Sequence, residues 1–300
     1  MTLIYAKLLL TAVFWGGTFI AGRLLTEHAG PFAGSFLRFA VAGVLLVLVT
    51  LRSENGLPAP PRRHLPVLLL MGLTGIFGYN FFFLTGLKTV EAGRASIIIA
   101  CNPIVIALAA ALLFRERLNA FKLAGILISI LGAVAVITRG SLDRVLDGGG
   151  FGWGELCILG CVGCWVAYSL LGKVVMADLS PLVAVTYSSV VGTLLLLPAA
   201  LAEGLPLADY APAAWAAAAY LGVFGTVLGF VWYYQGIRRV GPVRAGLFIN
   251  FVPISAVLMA FLFLGEPLTA SLLVETVMVS AGVALTAVEP GRLRRRPPQV

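Results

Sequence analysis

Charge is scarce in this chain of 300 residues. Only 11% are Asp, Glu, Lys or Arg, and histidine occurs twice. A soluble domain carries charge on about a quarter of its residues, so the polar surface here is too small to cover the chain in water. A soluble enzyme is thereby excluded. Cysteine is almost as rare, at Cys101, Cys157, Cys161 and Cys164, all inside apolar runs. Cys161 and Cys164 spell CxxC, but no second pair and no nearby histidine completes a metal site. They read as small hydrophobes of a membrane helix, with His28 and His64 expected in loops, so no metal and no cofactor is implied.

Apolar residues are what the chain has in quantity: 60% of the total, with a mean hydropathy of +1.01. At about 20 residues per span, ten spans would use about 200 residues and leave about 100 for connections. Ten apolar segments can be marked, at about 4–25, 31–51, 66–87, 92–114, 121–137, 152–171, 181–201, 212–235, 243–264 and 270–288. The first is too long for a signal core and is followed only by more membrane, so it is retained as a span. Taking alternate connections with both tails, fifteen Lys and Arg fall on one side and five on the other, with Arg38 inside a span. Basic residues accumulate in the cytoplasm, which predicts cytoplasmic N and C termini and an even number of spans. The +8 net charge and the basic run Arg292 to Arg296 are read as topology and lipid signals, with no nucleic-acid partner.

One offset, 150 residues, brings scarce residues into register. Trp15 falls on Trp165, Pro31 on Pro181, Gly72 on Gly222, Gly75 on Gly225, Arg94 on Arg244, Pro103 on Pro253 and Glu116 on Glu266. The chain therefore divides into a first five-helix repeat (1–140), a linker (141–150), a second five-helix repeat (151–290) and a basic cytoplasmic tail (291–300). Five is odd, so the second repeat enters the membrane from the opposite side. The expected fold is an all-α polytopic membrane protein with two inverted repeats around a central cavity. Secondary transporters use that symmetry to alternate access; channels carry it too.

The candidate site follows from matched irregularities. Pro103 and Pro253 deprive the carbonyls of Ile99 and Ile249 of their helical partners, and free carbonyls in hydrocarbon need protein or a wet cavity. Asn102 and Asn250 stand nearby with amides. The third and eighth spans carry glycines and aromatics on one face, among them Gly75, Gly78, Tyr79, Phe82 and Phe83 against Gly225, Gly229, Trp232 and Tyr233. Small residues let helices approach closely, and Gly75, Gly78, Gly225, Gly229, Pro103 and Pro253 are the expected helix breaks and gates. Tyr79, Phe83, Asn102, Trp165, Tyr233, Phe248 and Asn250 are the expected cavity lining. Arg38, Glu155 and Glu275 are candidates for a coupling or structural charge, with capping or interfacial placement as the alternative for the two acids. Glu116 and Glu266 close the fourth and ninth spans. The shortage of deep acids favours facilitated diffusion or loose proton coupling over an obligatory cation-driven pump.

Several stretches resemble the drug/metabolite transporter superfamily, specifically its ten-helix EamA-type exporters. They are Ala12-Val13-Phe14-Trp15-Gly16-Gly17-Thr18-Phe19, Phe36-Leu37-Arg38-Phe39, and the two runs from Arg94-Ala95 through Pro103 to Glu116 and from Arg244-Ala245 through Pro253 to Glu266. The resemblance covers the chain from Leu3 to about Pro290. It implies a two-fold bundle, a cavity lined by the third, fourth, eighth and ninth spans, a bacterial inner-membrane location, and export of small metabolites by a monomer or weak homodimer. Within that group the chain looks most like exporters of amino acids, aromatic ones included, whose cavity aromatics Tyr79 and Trp165 resemble. A neutral, partly apolar substrate also suits the lack of a charged cluster. A multidrug exporter of the same fold is the alternative. A pore or a membrane-embedded enzyme is the alternative of another class, though no His-acid or Ser/Lys cluster supports the enzyme.

Overall fold

The structure is a computed structural model and describes residues 2–114, 119–138 and 152–286. The expected linker, the basic tail and Glu116 lie outside these residues. The described residues are helical with no strand, because every backbone polar group in lipid must be satisfied within its own segment or a closed barrel. The helices are α1 (Thr2–Thr26), α2 (Pro31–Ser53), α3 (Arg62–Leu87), α4 (Ala92–Ile99 continued by Asn102–Phe114), α5 (Ala120–Thr138), α6 (Trp153–Val175), α7 (Pro181–Glu203), α8 (Pro212–Val240), α9 (Pro242–Leu247 leading to Phe251–Leu264) and α10 (Ala270–Thr286). Among the described residues nine are long and apolar enough to cross a membrane, and α10, with 17 residues, is a shorter apolar helix. Large apolar side chains such as Leu112 (81% exposed) and Phe263 (71%) face outward, the pattern of a lipid-facing surface.

Some boundaries differ from the sequence reading for local reasons. α8 runs past Gln235 to Val240, taking in Arg238 and Arg239 in its last turn, where cations complement the helix dipole. Gly241, at φ +86°, then turns the chain directly into α9. α3 begins at Arg62, so His64 is a helical residue with 5% exposure and not part of a loop.

Helix packing respects the exchange of the two halves. α1 packs on α9 as α6 does on α4, and α3 packs on α6 as α8 does on α1. The pairs α2–α7 and α5–α10 map onto themselves. α2 and α7 are antiparallel, and each ends on the start of the other. The Ala33 amide donates to Glu203 at 2.8 Å, and the Ser180 hydroxyl donates to Glu54 at 2.7 Å. Glu266 does the same for α4, accepting from the Ala92 and Gly93 amides at 2.7 and 2.9 Å. Glu203 and Glu266 thereby satisfy orphan N–H groups, Glu54 engages the N-cap hydroxyl, and all three sit at the positive end of a helix dipole. Glu266→Ala is expected to lower stability by about 1–2 kcal/mol, read as a lower melting temperature of the purified protein.

Candidate functional site

Two helices widen at matched positions. α3 contains a π-helical segment, Gly72–Gly78, and α8 contains one at Leu221–Leu228, so that residues 72–78 map onto 222–228. A π turn leaves carbonyls and glycine faces open to insertion from a neighbour, and such turns cluster at functional sites. Here the insertions are aromatic or branched. A Cβ on Gly75 would lie 2.2 Å from the Tyr168 ring, and one on Gly225 would lie 2.6 Å from the Thr18 methyl. Tyr168 and Thr18 are themselves a matched pair. The indole of Trp15 donates to the Gly225 carbonyl at 3.0 Å, taking up one acceptor that the π turn frees.

The matched tryptophan behaves differently. Gly229 leaves room for Trp15, whose Nε1 would lie 2.5 Å from a Cβ there. The corresponding position on α3 is Tyr79, whose ring fills that space and holds Trp165 at a centroid distance of 5.6 Å. The Trp165 indole N–H accordingly has no acceptor among the described residues. Trp165 also lies 6.4 Å from Phe230, Phe230 lies 5.8 Å from Trp15, and Trp15 lies 5.3 Å from Tyr233. A continuous row of rings, Tyr79–Trp165–Phe230–Trp15–Tyr233, thus crosses from one half to the other.

Three of the expected lining residues, Tyr79, Trp165 and Tyr233, belong to that row. Phe83 is 1% exposed and stacks behind Tyr79 at 5.9 Å, so it supports the row from behind and presents no face of its own. Phe248 lies apart, stacked on Tyr5 at 5.8 Å. Asn102 is buried with its Oδ1 unpartnered, and Asn250 is half-buried at the end of a 3-10 turn, Phe248–Asn250. The helical interruptions at Ala100–Cys101 and Phe248–Asn250 immediately precede Pro103 and Pro253. Gly78 faces the Cys164 sulfur, 3.0 Å from where a Cβ would be.

The three candidate charges part company. Glu155 accepts from the Gly152 amide at 3.1 Å and caps α6. Glu275 is 2% exposed; its Oε1 accepts from the Ser271 hydroxyl at 2.6 Å, while Oε2 has no partner. Arg38 is buried, donating to Asn80, just past the π segment of α3, and to Thr226 within that of α8. Trp15, Phe230, Asn80 and Thr226 were absent from the expected site. The sequence signal for Trp15 is its register with Trp165 and for Asn80 its amide beside Tyr79 on the third span, whereas Phe230 and Thr226 carry none beyond position on α8.

Outside the bundle, His64 Nε2 lies 2.5 Å from Asp178 Oδ2, and Arg63 donates to the same oxygen at 2.9 Å. The His64 hydrogen bond first, then that of Arg63, hold the Asp178 carboxyl below the usual range. A depressed carboxyl stabilises the fold above its ordinary value of about 3.9 and loses that contribution as pH falls through the lower native value. Asp178→Asn is therefore expected to melt earlier than the parent protein at neutral pH. The gap should close as the pH drops below about 4.

The comparisons with known proteins agree with this architecture. The model of the EamA-like transporter family matches twice, over residues 2–138 and 152–288. The uncharacterized transporter YyaM of Bacillus subtilis is 29% identical over 95% of this chain and 93% of its own. A probable terminal-alkyne amino-acid exporter of Streptantibioticus cattleyicolor is 31% identical over 93% and 91%. The uncharacterized inner membrane transporter YedA of Escherichia coli is 25% identical over 89% and 84%. One crystal structure of a protein covers 93% of this chain and 96% of its own, with a TM-score of 0.66 and 22% identity, a likeness of fold. With the family matched in both halves and nine helices among the described residues long and apolar enough to cross a membrane, the chain is a multi-pass inner-membrane transporter that belongs to the EamA-like transporter family.

Proposed function

We propose that the protein exports amino acids, aromatic and other neutral ones, together with related small metabolites, by alternating access. The observation that carries the reading is the row of rings from Tyr79 to Tyr233, which spans the two halves and includes a Trp165 indole with an unused N–H. Aromatic faces hold an apolar side chain, and a free indole donor orients a polar group. The amino-acid exporter among the relatives supports the substrate class. In this reading α10 completes ten spans, both termini are cytoplasmic, and the 1–140 and 151–290 repeats are inverted. The reciprocal antiparallel ends of α2 and α7 support that inversion. Tyr79, Trp165 and Tyr233 contact the substrate, Asn102 and Asn250 offer amides beside the proline breaks, and the glycines at 75, 78, 225 and 229 let α3 and α8 move.

Purified protein in liposomes loaded with labelled phenylalanine, threonine or a cationic drug tests the assignment. Saturable phenylalanine flux with counterflow is the expected result. Drug flux without amino-acid flux would replace the substrate class, and flux that does not saturate would make the protein a pore. Trp165→Ala is expected to reduce apparent affinity for phenylalanine about tenfold with unchanged yield of folded protein. Unaltered flux would remove Trp165 from the site.

A further inference from the structure

Arg38 is a cation inside a span, and it is 9% exposed. Its hydrogen bonds all go to neutral oxygens. Nη1 donates to Asn80 Oδ1 at 2.9 Å, while Nε and Nη2 donate to Thr226 Oγ1 at 3.3 and 3.2 Å. Among the described residues no Asp or Glu lies within ion-pair distance of it. Guanidinium cannot shed its charge by deprotonation, and it has five N–H donors. One N–H on each terminal nitrogen is thus left without an acceptor among the described residues. A buried cation with neutral partners alone is costly, and an arriving anion removes that cost.

The surroundings say where such an anion would sit. A Cβ on Gly225 would lie 3.9 Å from Arg38 Nη2, and the Gly225 carbonyl is the acceptor of Trp15. Asn80, which holds Nη1, follows Tyr79 directly in α3. Arg38 therefore bridges the residue that follows Tyr79 on α3 and the π segment of α8 whose Gly225 carbonyl holds Trp15.

We propose that Arg38 is the carboxylate anchor of the transport site, its two spare N–H groups receiving the carboxylate of a substrate whose apolar side chain lies against Tyr79 and Trp165. Paired N–H donors match the two oxygens of a carboxylate, and entry of the anion neutralises the buried charge between the halves. The anchor deepens the amino-acid reading above and rests on the same site.

Three probes separate the two ideas: phenylalanine, 3-phenylpropionate (carboxylate without amine) and phenethylamine (amine without carboxylate). Binding is measured on the full chain in lipid nanodiscs. The parent protein is expected to bind both carboxylates at least about tenfold more tightly than phenethylamine. Arg38→Gln should weaken the carboxylates on the order of 30-fold and leave phenethylamine within about twofold, while Arg38→Lys restores part of the loss. Weakening of all three probes alike would show a structural role and overturn the anchor. Should Arg38→Gln not fold, the parent series decides: equal binding of phenethylamine and 3-phenylpropionate overturns the anchor without any variant. Arg38-dependent binding of 3-phenylpropionate without phenylalanine would keep the anchor and reject amino-acid export. Binding of none of the three would reject both.

Discussion

Gly125→Leu is expected to abolish recovery of folded protein from the membrane, the largest loss of stability anticipated for a single substitution in this chain. α5 and α10 cross where Gly125 and Gly282 face each other. A Cβ on Gly125 would lie 2.5 Å from the Gly282 carbonyl oxygen, and a Cβ on Gly282 would lie 2.6 Å from the Gly125 carbonyl oxygen. Both obstacles are backbone, so no side-chain rotation relieves them and the helices must separate. Helices in lipid gain nothing from hydrophobic exclusion and depend on this close approach. Separation would also break the bond from the Ser129 hydroxyl to the Val279 carbonyl, 3.1 Å long. Overpacking against backbone of this kind costs about 3 kcal/mol or more. Gly163, by contrast, has nothing within 4 Å of a Cβ position, and Gly163→Ala should be neutral or raise stability by about 0.5–1 kcal/mol through helix propensity. Thermal melting of detergent-purified variants distinguishes the two. A Gly125→Leu protein that melts with the parent would mean that α5 and α10 are not held by this crossing.

The same crossing shows what could be read before the structure. Gly132 and Gly282 fall into register at an offset of 150, as do Trp15 and Trp165 and the two prolines, because a duplicated fold keeps residues whose shape the packing demands. The all-helical membrane class and the family followed from composition and from those residues. The π segments did not. Gly75 and Gly225 marked small faces on α3 and α8, but a wider turn is chosen by what inserts, and the Tyr168 ring and the Trp15 indole come from helices far away in sequence. Glu266 looked like the close of a span with no base beside it, and its partners are amides 173 and 174 residues away. His64 looked like a loop residue for the same reason, since Asp178, 114 residues on, is what orders it. Local pattern is legible in sequence, whereas the partner of a buried polar group is set by tertiary contact.

The symmetric tryptophans give the sharpest test of how the two halves have diverged. Replacing either by phenylalanine keeps a large apolar ring and deletes the indole N–H. At Trp15 that deletion removes the donor to the Gly225 carbonyl and leaves an acceptor of the α8 π segment unsatisfied away from water, a loss of about 1–3 kcal/mol. Ring contacts to Phe230 and Tyr233 would remain in part, so the drop in melting temperature should come from the hydrogen bond. At Trp165 the N–H serves no protein acceptor among the described residues, and Trp165→Phe should melt within about 0.5 kcal/mol of the parent. Its effect should appear instead in transport, as weaker apparent affinity for phenylalanine at normal protein yield. A mirror-image outcome, with Trp165→Phe unstable and Trp15→Phe stable but impaired in uptake, would reverse the roles of the two halves. The origin of the contrast is one residue. Tyr79 occupies on α3 the place that Gly229 leaves empty on α8, so the indole that reaches the opposite π segment in one half is held back in the other, where its donor has no protein acceptor among the described residues.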